Sequence, residues 1–159
     1  MDPTDTLAAF VRSIGIPVVE RDLPDPTFLP GIAIEAGSIL VDRPRLLYPG
    51  DLLHEAGHVA VMLPTERPSL SDRLAVGPGD EMAAIAWSWA AALHIGIDSA
   101  ILFHPSGYKG ESATLLENFQ AARYFGVPLL QYYGMTRQRD NGSGAAVFPR
   151  MRLWLRPSP

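Results

Sequence analysis

The chain contains no cysteine, which excludes a disulfide framework and every thiolate-based metal site. Any metal must then be held by histidine, carboxylate or water. The lack of thiols also fits a reducing compartment, so a cytoplasmic location is the expectation. Charge is sparse: Asp, Glu, Lys and Arg make up 19% of the residues, and the formal net charge is −4. A negative balance leaves no electrostatic footprint for nucleic acid, so direct nucleic-acid binding is not expected. Long apolar runs are missing too. The most apolar stretch, Met82 to Leu93, follows two acids and is too short to cross a bilayer. The first residues, Met1-Asp2-Pro3-Thr4-Asp5, lack the basic-then-apolar pattern of a secretory signal. No membrane association is expected, and the chain carries no internal repeat. What is present is 159 residues, 47% of them apolar, enough for one domain over 1–159 with a real core.

Histidines number only four, yet two of them fall in one pentapeptide, His54-Glu55-Ala56-Gly57-His58. On a helix, residues four apart lie on one face about 6 Å apart along the axis. His54 and His58 can therefore aim ring nitrogens at one metal ion, while Glu55 reaches a water on that metal as a general base. This H-E-x-x-H pattern is the two-histidine core of a large class of zinc hydrolases. The bland alternative is a surface helix with solvated histidines. Against it, Leu52, Leu53, Val59, Ala60, Val61, Met62 and Leu63 make the helix apolar on most sides, and buried histidines need partners.

The third ligand separates the zincin classes. The long motif H-E-x-x-H-x-x-G-x-x-H requires glycine at 61 and histidine at 64, but the chain has Val61 and Pro64. The other common solution is a glutamate on a following helix. Glu81 fits, because it follows the breaker Gly77-Pro78-Gly79 and opens an apolar helical stretch. Its ordinary reading is a first-turn acid that suits the helix dipole. Asp80 is the nearest rival; His94 and His104 are weaker ones. His94 would lie on nearly the opposite face of a continuous helix from Glu81.

Periodicity and breakers set out the remaining elements. Thr6 to Ile14 reads as a short amphipathic helix ended by Gly15, and residues 22–30 as a proline-rich connector; 1–30 thus precede the main body. Two β-rich runs, 31–34 and 39–41, read as a hairpin across Glu35-Ala36-Gly37-Ser38. The motif helix starts near Gly50 or Asp51 and ends by Pro64, with a loop over 64–79. The Glu81 helix is apolar all round, hence central, with Trp87 and Trp89 as core residues. Residues 104–110 form a turn, Glu111 to Phe125 a helix stopped at Gly126, and Val127 to Tyr133 a further short helical turn. A loop and tail, 137–159, complete the chain; the tail is either an edge strand or a docked segment. Its arginines, Arg137, Arg139, Arg150, Arg152 and Arg156, are either solvated or a docking surface for acidic groups. The fold class expected is α+β and mostly helical, with a small antiparallel sheet ahead of the motif helix.

This order of elements resembles the ImmA/IrrE-type peptidase family, a small gluzincin group, over about Gly31 to Thr136. The resemblance is carried by the apolar hairpin, the His54-to-His58 motif, and a second helix with Glu81, Ala84 and Trp87. The stop at Phe125-Gly126-Val127 is similar as well. It implies a zincin-like fold, zinc on His54, His58 and Glu81, Glu55 as the base, and a peptide or protein substrate, often a regulatory protein. Two features depart from the pattern. There is no room for the helix-turn-helix domain that members often carry. Position 85, where thermolysin-like relatives hold an acid that supports a zinc-bound histidine, is Ile85. Some other group must then orient the histidines, such as a backbone carbonyl or Asp51.

In an enzyme of this kind, a zinc-activated water attacks the peptide carbonyl while Glu55 accepts its proton and delivers it to the leaving amine. A second donor steadies the developing oxyanion. Candidates are His104, Tyr108, Tyr132 and Tyr133, with His104 first because its loop follows the Glu81 helix. The hairpin edge at Ile39 to Val41 is a place where an extended substrate can add as a strand. The competing reading is a non-catalytic zincin-fold module that binds a partner or senses metal. An intact Glu55 counts against it and the missing acid at position 85 counts for it.

Overall fold

The computed structural model describes residues 2–24, 26–72 and 77–159. Helix α1 spans Pro3–Ser13 and starts earlier than the apolar periodicity suggests, because Asp2 caps it. The Asp2 carboxylate accepts from the Thr4 N–H at 2.9 Å, and Pro3, which has no N–H to satisfy, occupies the first turn. Its buried face carries Leu7, Ala8 and Val11.

Three short strands follow: β1 (Val18–Glu20), β2 (Ile32–Glu35) and β3 (Ser38–Val41). The β2–β3 pair is the expected hairpin, closed tightly through Ala36 and Gly37. The sheet is mixed, not antiparallel, since β1 pairs in parallel with β3, Val18 opposite Ile39. Strand order is β1-β3-β2. This corrects a second expectation. Ile39 to Val41 lies in the central strand with a neighbour on each side, so it offers no edge to a substrate.

Helix α2 (Gly50–Ala60) carries the H-E-x-x-H motif and is buried along its whole length. Helix α3 (Pro78–Ile95) begins at Pro78 after the glycine break and ends on Gly96 in the left-handed region. Trp87 is fully buried and Trp89 nearly so, as expected for the central helix. Two short helices, α4 (Ser99–Leu102) and α6 (Val127–Tyr132), flank α5 (Ser112–Gln120). Helix α5 stops at Gln120, five residues before the expected end at Phe125. Ala122 turns left-handed (φ 58°) and the Arg123 N–H bonds back to the Asn118 carbonyl at 2.8 Å, a Schellman closure. Tyr124 and Phe125 are thereby free to pack on Phe119, with ring centroids 5.4 and 5.1 Å away. Six α-helices and a three-stranded sheet make an α+β fold among the described residues.

The tail is a docked segment. The Trp87 indole N–H donates to the Trp154 carbonyl at 2.9 Å, and the Arg156 N–H to the Ala60 carbonyl at 2.9 Å. Arg156 also reaches the Val61 carbonyl (3.2 Å) and Arg67 the Val59 carbonyl (3.3 Å). Two cationic side chains thus donate to carbonyls at the end of α2, where the helix dipole favours them. Among the described residues, no helix is long and apolar enough to cross a membrane.

Helices α2 and α3 meet at Gly57. A Cβ there would lie 2.8 Å from the Ala84 carbonyl oxygen and 3.1 Å from Ser88 Oγ. Alanine gains about 1 kcal/mol of helix propensity over glycine, but overpacking a fixed backbone contact costs about 1–3 kcal/mol. Gly57→Ala is therefore expected to lower the unfolding free energy by up to about 2 kcal/mol, read by urea denaturation. Raised stability would show that the two helices do not meet this closely.

Candidate metal centre

The helical repeat puts His54 and His58 on one face of α2, with their rings edge to face, centroids 4.8 Å apart. Their Nε2 atoms stand 3.2 Å from each other. Glu81, in the first turn of α3, brings one carboxylate oxygen to 3.2 Å from His54 Nε2 and the other to 2.9 Å from His58 Nε2. Donors sharing a tetrahedral ion through bonds of about 2.0–2.1 Å stand about 3.3 Å apart. The three separations match that spacing to within a few tenths of an ångström. Ligand atoms of His54, Glu55 and His58 also lie within 4.8 Å of one another. A His-Glu-His group here can hold a metal ion.

The cluster perturbs its own proton affinities. Burial raises the Glu81 carboxyl, but the two imidazoles that hydrogen-bond it win and hold it well below the usual carboxylate range. Burial lowers His54, and the bond and charge of Glu81 outweigh that, so its pKa ends above the ordinary imidazole value. Glu55 receives no such compensation. Burial pushes its carboxyl up to about 7, against the opposing charge of His54 and with added repulsion from Asp72, Asp51 and Glu81. Asp72 is raised by burial too, opposed by the Ile34 N–H and by a hydrogen bond with Glu55.

These groups open on a cleft of about 810 Å³. Its walls include Phe28, Ile34, Leu70, Ile85 and Phe125, with Asp72 and Lys109 also on the lining. Asp72 gave no signal in the sequence. It borders the outer edge of β2: its carboxylate accepts from the Ile34 N–H at 3.0 Å, and its own N–H faces the Ile34 carbonyl at 3.4 Å. Residues 73–76 of the expected 64–79 loop lie outside the described residues.

The oxyanion candidates fare differently. His104 is buried away from the cleft lining; its Nε2 lies 2.7 Å from Asp51 Oδ1 and its ring stacks on Tyr48 at 4.1 Å. As placed it pairs with Asp51 and not with the motif histidines. Asp51 is thereby committed to His104 and makes no bond to either motif histidine among the described residues. Tyr108 lies in the cleft wall, but its hydroxyl sits 3.2 Å from His54 Nδ1, on the back of that ring. Tyr132 is exposed, and Tyr133 lies under the Arg156 guanidinium, 3.8 Å from the ring centroid. Of the rival ligands, His94 packs against Phe10 and Trp154 far along α3, and the charge of Asp80 bears on Tyr133. Neither joins the cluster. Arg156 and Arg152 bond backbone carbonyls of this chain, Arg152 that of Gly134 at 3.0 Å.

No family model, no curated protein and no solved structure matches the chain.

Purified protein is expected to take up about one divalent ion per chain, and His58→Ala and Glu81→Ala each to lose it, measured by metal analysis after dialysis. Because the His54 pKa is raised, a proton must leave before the ring can ligate. Below that pKa the apparent metal affinity is expected to fall about tenfold per pH unit, and calorimetry in buffers of different ionisation enthalpy to show proton release. An affinity flat with pH would contradict ligation by His54.

Proposed function

We propose that the chain is a zinc-dependent metallopeptidase of the ImmA/IrrE type, acting in the cytoplasm on a peptide or protein substrate that includes regulatory proteins. The observation that carries this reading is the convergence of His54, His58 and Glu81 beside a buried Glu55, at the floor of an apolar-walled cleft. Zinc suits a cysteine-free site of two imidazoles and one carboxylate. When bound, it supplies Lewis acidity towards water and a carbonyl.

The chain's own residues do the rest. Glu81 compensates the charge of the cluster and fixes both rings. Glu55, with a carboxyl near neutrality, takes a proton from the attacking water at its carboxylate and returns it to the leaving amine nitrogen. The apolar walls exclude bulk water and accept apolar substrate side chains. A substrate strand adding to the cleft-side edge of β2 displaces Asp72 from Ile34.

One observation favours the non-catalytic module as a second reading. Among the described residues, His104 faces Asp51, the Tyr108 hydroxyl lies behind the His54 ring, Tyr132 is exposed and Tyr133 lies under Arg156, so none of the four is placed against the Nε2 side of the cluster.

Glu55→Gln separates the two. The amide keeps the shape and removes the base, so metal content is expected to stay while hydrolysis of a peptide library falls about 10²- to 10⁴-fold, followed by mass spectrometry. Zinc-loaded wild type that cleaves nothing, or a variant that cleaves as fast, would transfer the assignment to the binding module.

A further inference from the structure

A histidine that ligates through Nε2 must carry its proton on Nδ1, and that N–H needs an acceptor to hold the ring in place. Position 85, one turn beyond Glu81, is an isoleucine and has no acceptor to offer. His54 meets a different partner. The Tyr108 hydroxyl lies 3.2 Å from His54 Nδ1, and the phenol ring stands edge to face against the imidazole, centroids 5.2 Å apart at 85°.

The loop that delivers Tyr108 is held at some cost. Tyr108 and Lys109 both adopt left-handed backbone, φ 55° and 54°, which non-glycine residues sustain only when their surroundings enforce it. The Gly107 carbonyl accepts from Ser112 Oγ at 3.0 Å. A Cβ at Gly107 would stand only 3.0 Å from the His104 ring. His104 is itself pinned to Asp51 at 2.7 Å. Phe103 braces the Tyr108 ring, centroids 5.3 Å apart. The buried Asp51–His104 pair thus ties the first turn of α2 to the loop that brings a hydroxyl to the next turn of the same helix.

Resting on the metal-centre reading above, we propose that Tyr108 is the positioning residue of the site: its hydroxyl oxygen accepts from His54 Nδ1–H and so keeps His54 Nε2 turned towards Glu81 and His58. A phenol is neutral where a carboxylate is charged, so the ring is oriented without adding a negative charge behind it.

The test is Tyr108→Phe, which keeps the aromatic packing and removes only the acceptor. Zinc affinity, measured by competition with a chromophoric chelator, is expected to fall about 10- to 100-fold with the melting temperature little changed. In ¹⁵N NMR of the zinc-loaded wild type, His54 is expected as the Nδ1–H tautomer with a slowly exchanging imidazole proton, which exchanges fast in the variant. Wild-type affinity and an unchanged His54 signal in Tyr108→Phe would overturn the proposal. A variant that unfolds leaves the decision to the wild-type spectrum, where the Nε2–H tautomer, or an Nδ1 proton that exchanges freely, would overturn it. Wild type that takes up no zinc at all is a different result, and removes the metal-centre reading itself.

Discussion

The close approach of α2 and α3 at Gly57 is the constraint on which the site depends. His54 and His58 come from one helix and Glu81 from the other, and a separation near 3 Å between their donor atoms tolerates little movement. Without a side chain at Gly57, the two backbones meet against the Ala84 carbonyl. Ser88 Oγ donates within α3 to the Ala84 carbonyl at 2.6 Å and reaches across to the Leu53 carbonyl of α2 at 3.3 Å. The docked tail, through Arg156, and the loop after α2, through Arg67, then close the end of α2. The motif helix is fixed along its side and at its end, and the ligand face is left towards the cleft.

That geometry sets an unequal electrostatic division among neighbouring carboxyls. Glu81 receives two imidazoles and is held ionised. Glu55, one residue from His54 but buried among other acids, is left near neutrality. In the proposed site the two carboxyls would take opposite roles, one suited to hold a cation and one suited to exchange a proton, as pairs with diverging proton affinities do in acid–base sites. Asp51 is drawn off by His104 and stabilises the neighbouring loop instead.

Local pattern was enough to read the motif helix, its two histidines, and Glu81 behind the Gly77-Pro78-Gly79 break, because helical period and breakers are properties of neighbouring residues. The hairpin and the core tryptophans were readable on the same grounds, while the tail left an edge strand and a docked segment both open. What escaped was non-local. The parallel pairing of β1 depends on a three-residue strand meeting a distant one. His104 looked free in the sequence because its partner, Asp51, is 53 residues away, and Tyr108 meets His54 across 54. The early end of α5 rests on an alanine in left-handed backbone, a position that normally announces itself as glycine. Only the packing of α3 shows that Gly57 serves helix contact.

One ion is expected among His54, His58 and Glu81, with Glu55 beside it and not bonded to it. Anomalous diffraction at the zinc edge from zinc-soaked crystals tests this most directly. A single strong peak is expected about 2.0–2.1 Å from both Nε2 atoms and a Glu81 oxygen. A peak bonded to Glu55 in place of Glu81, or one located away from the two histidines, would contradict it.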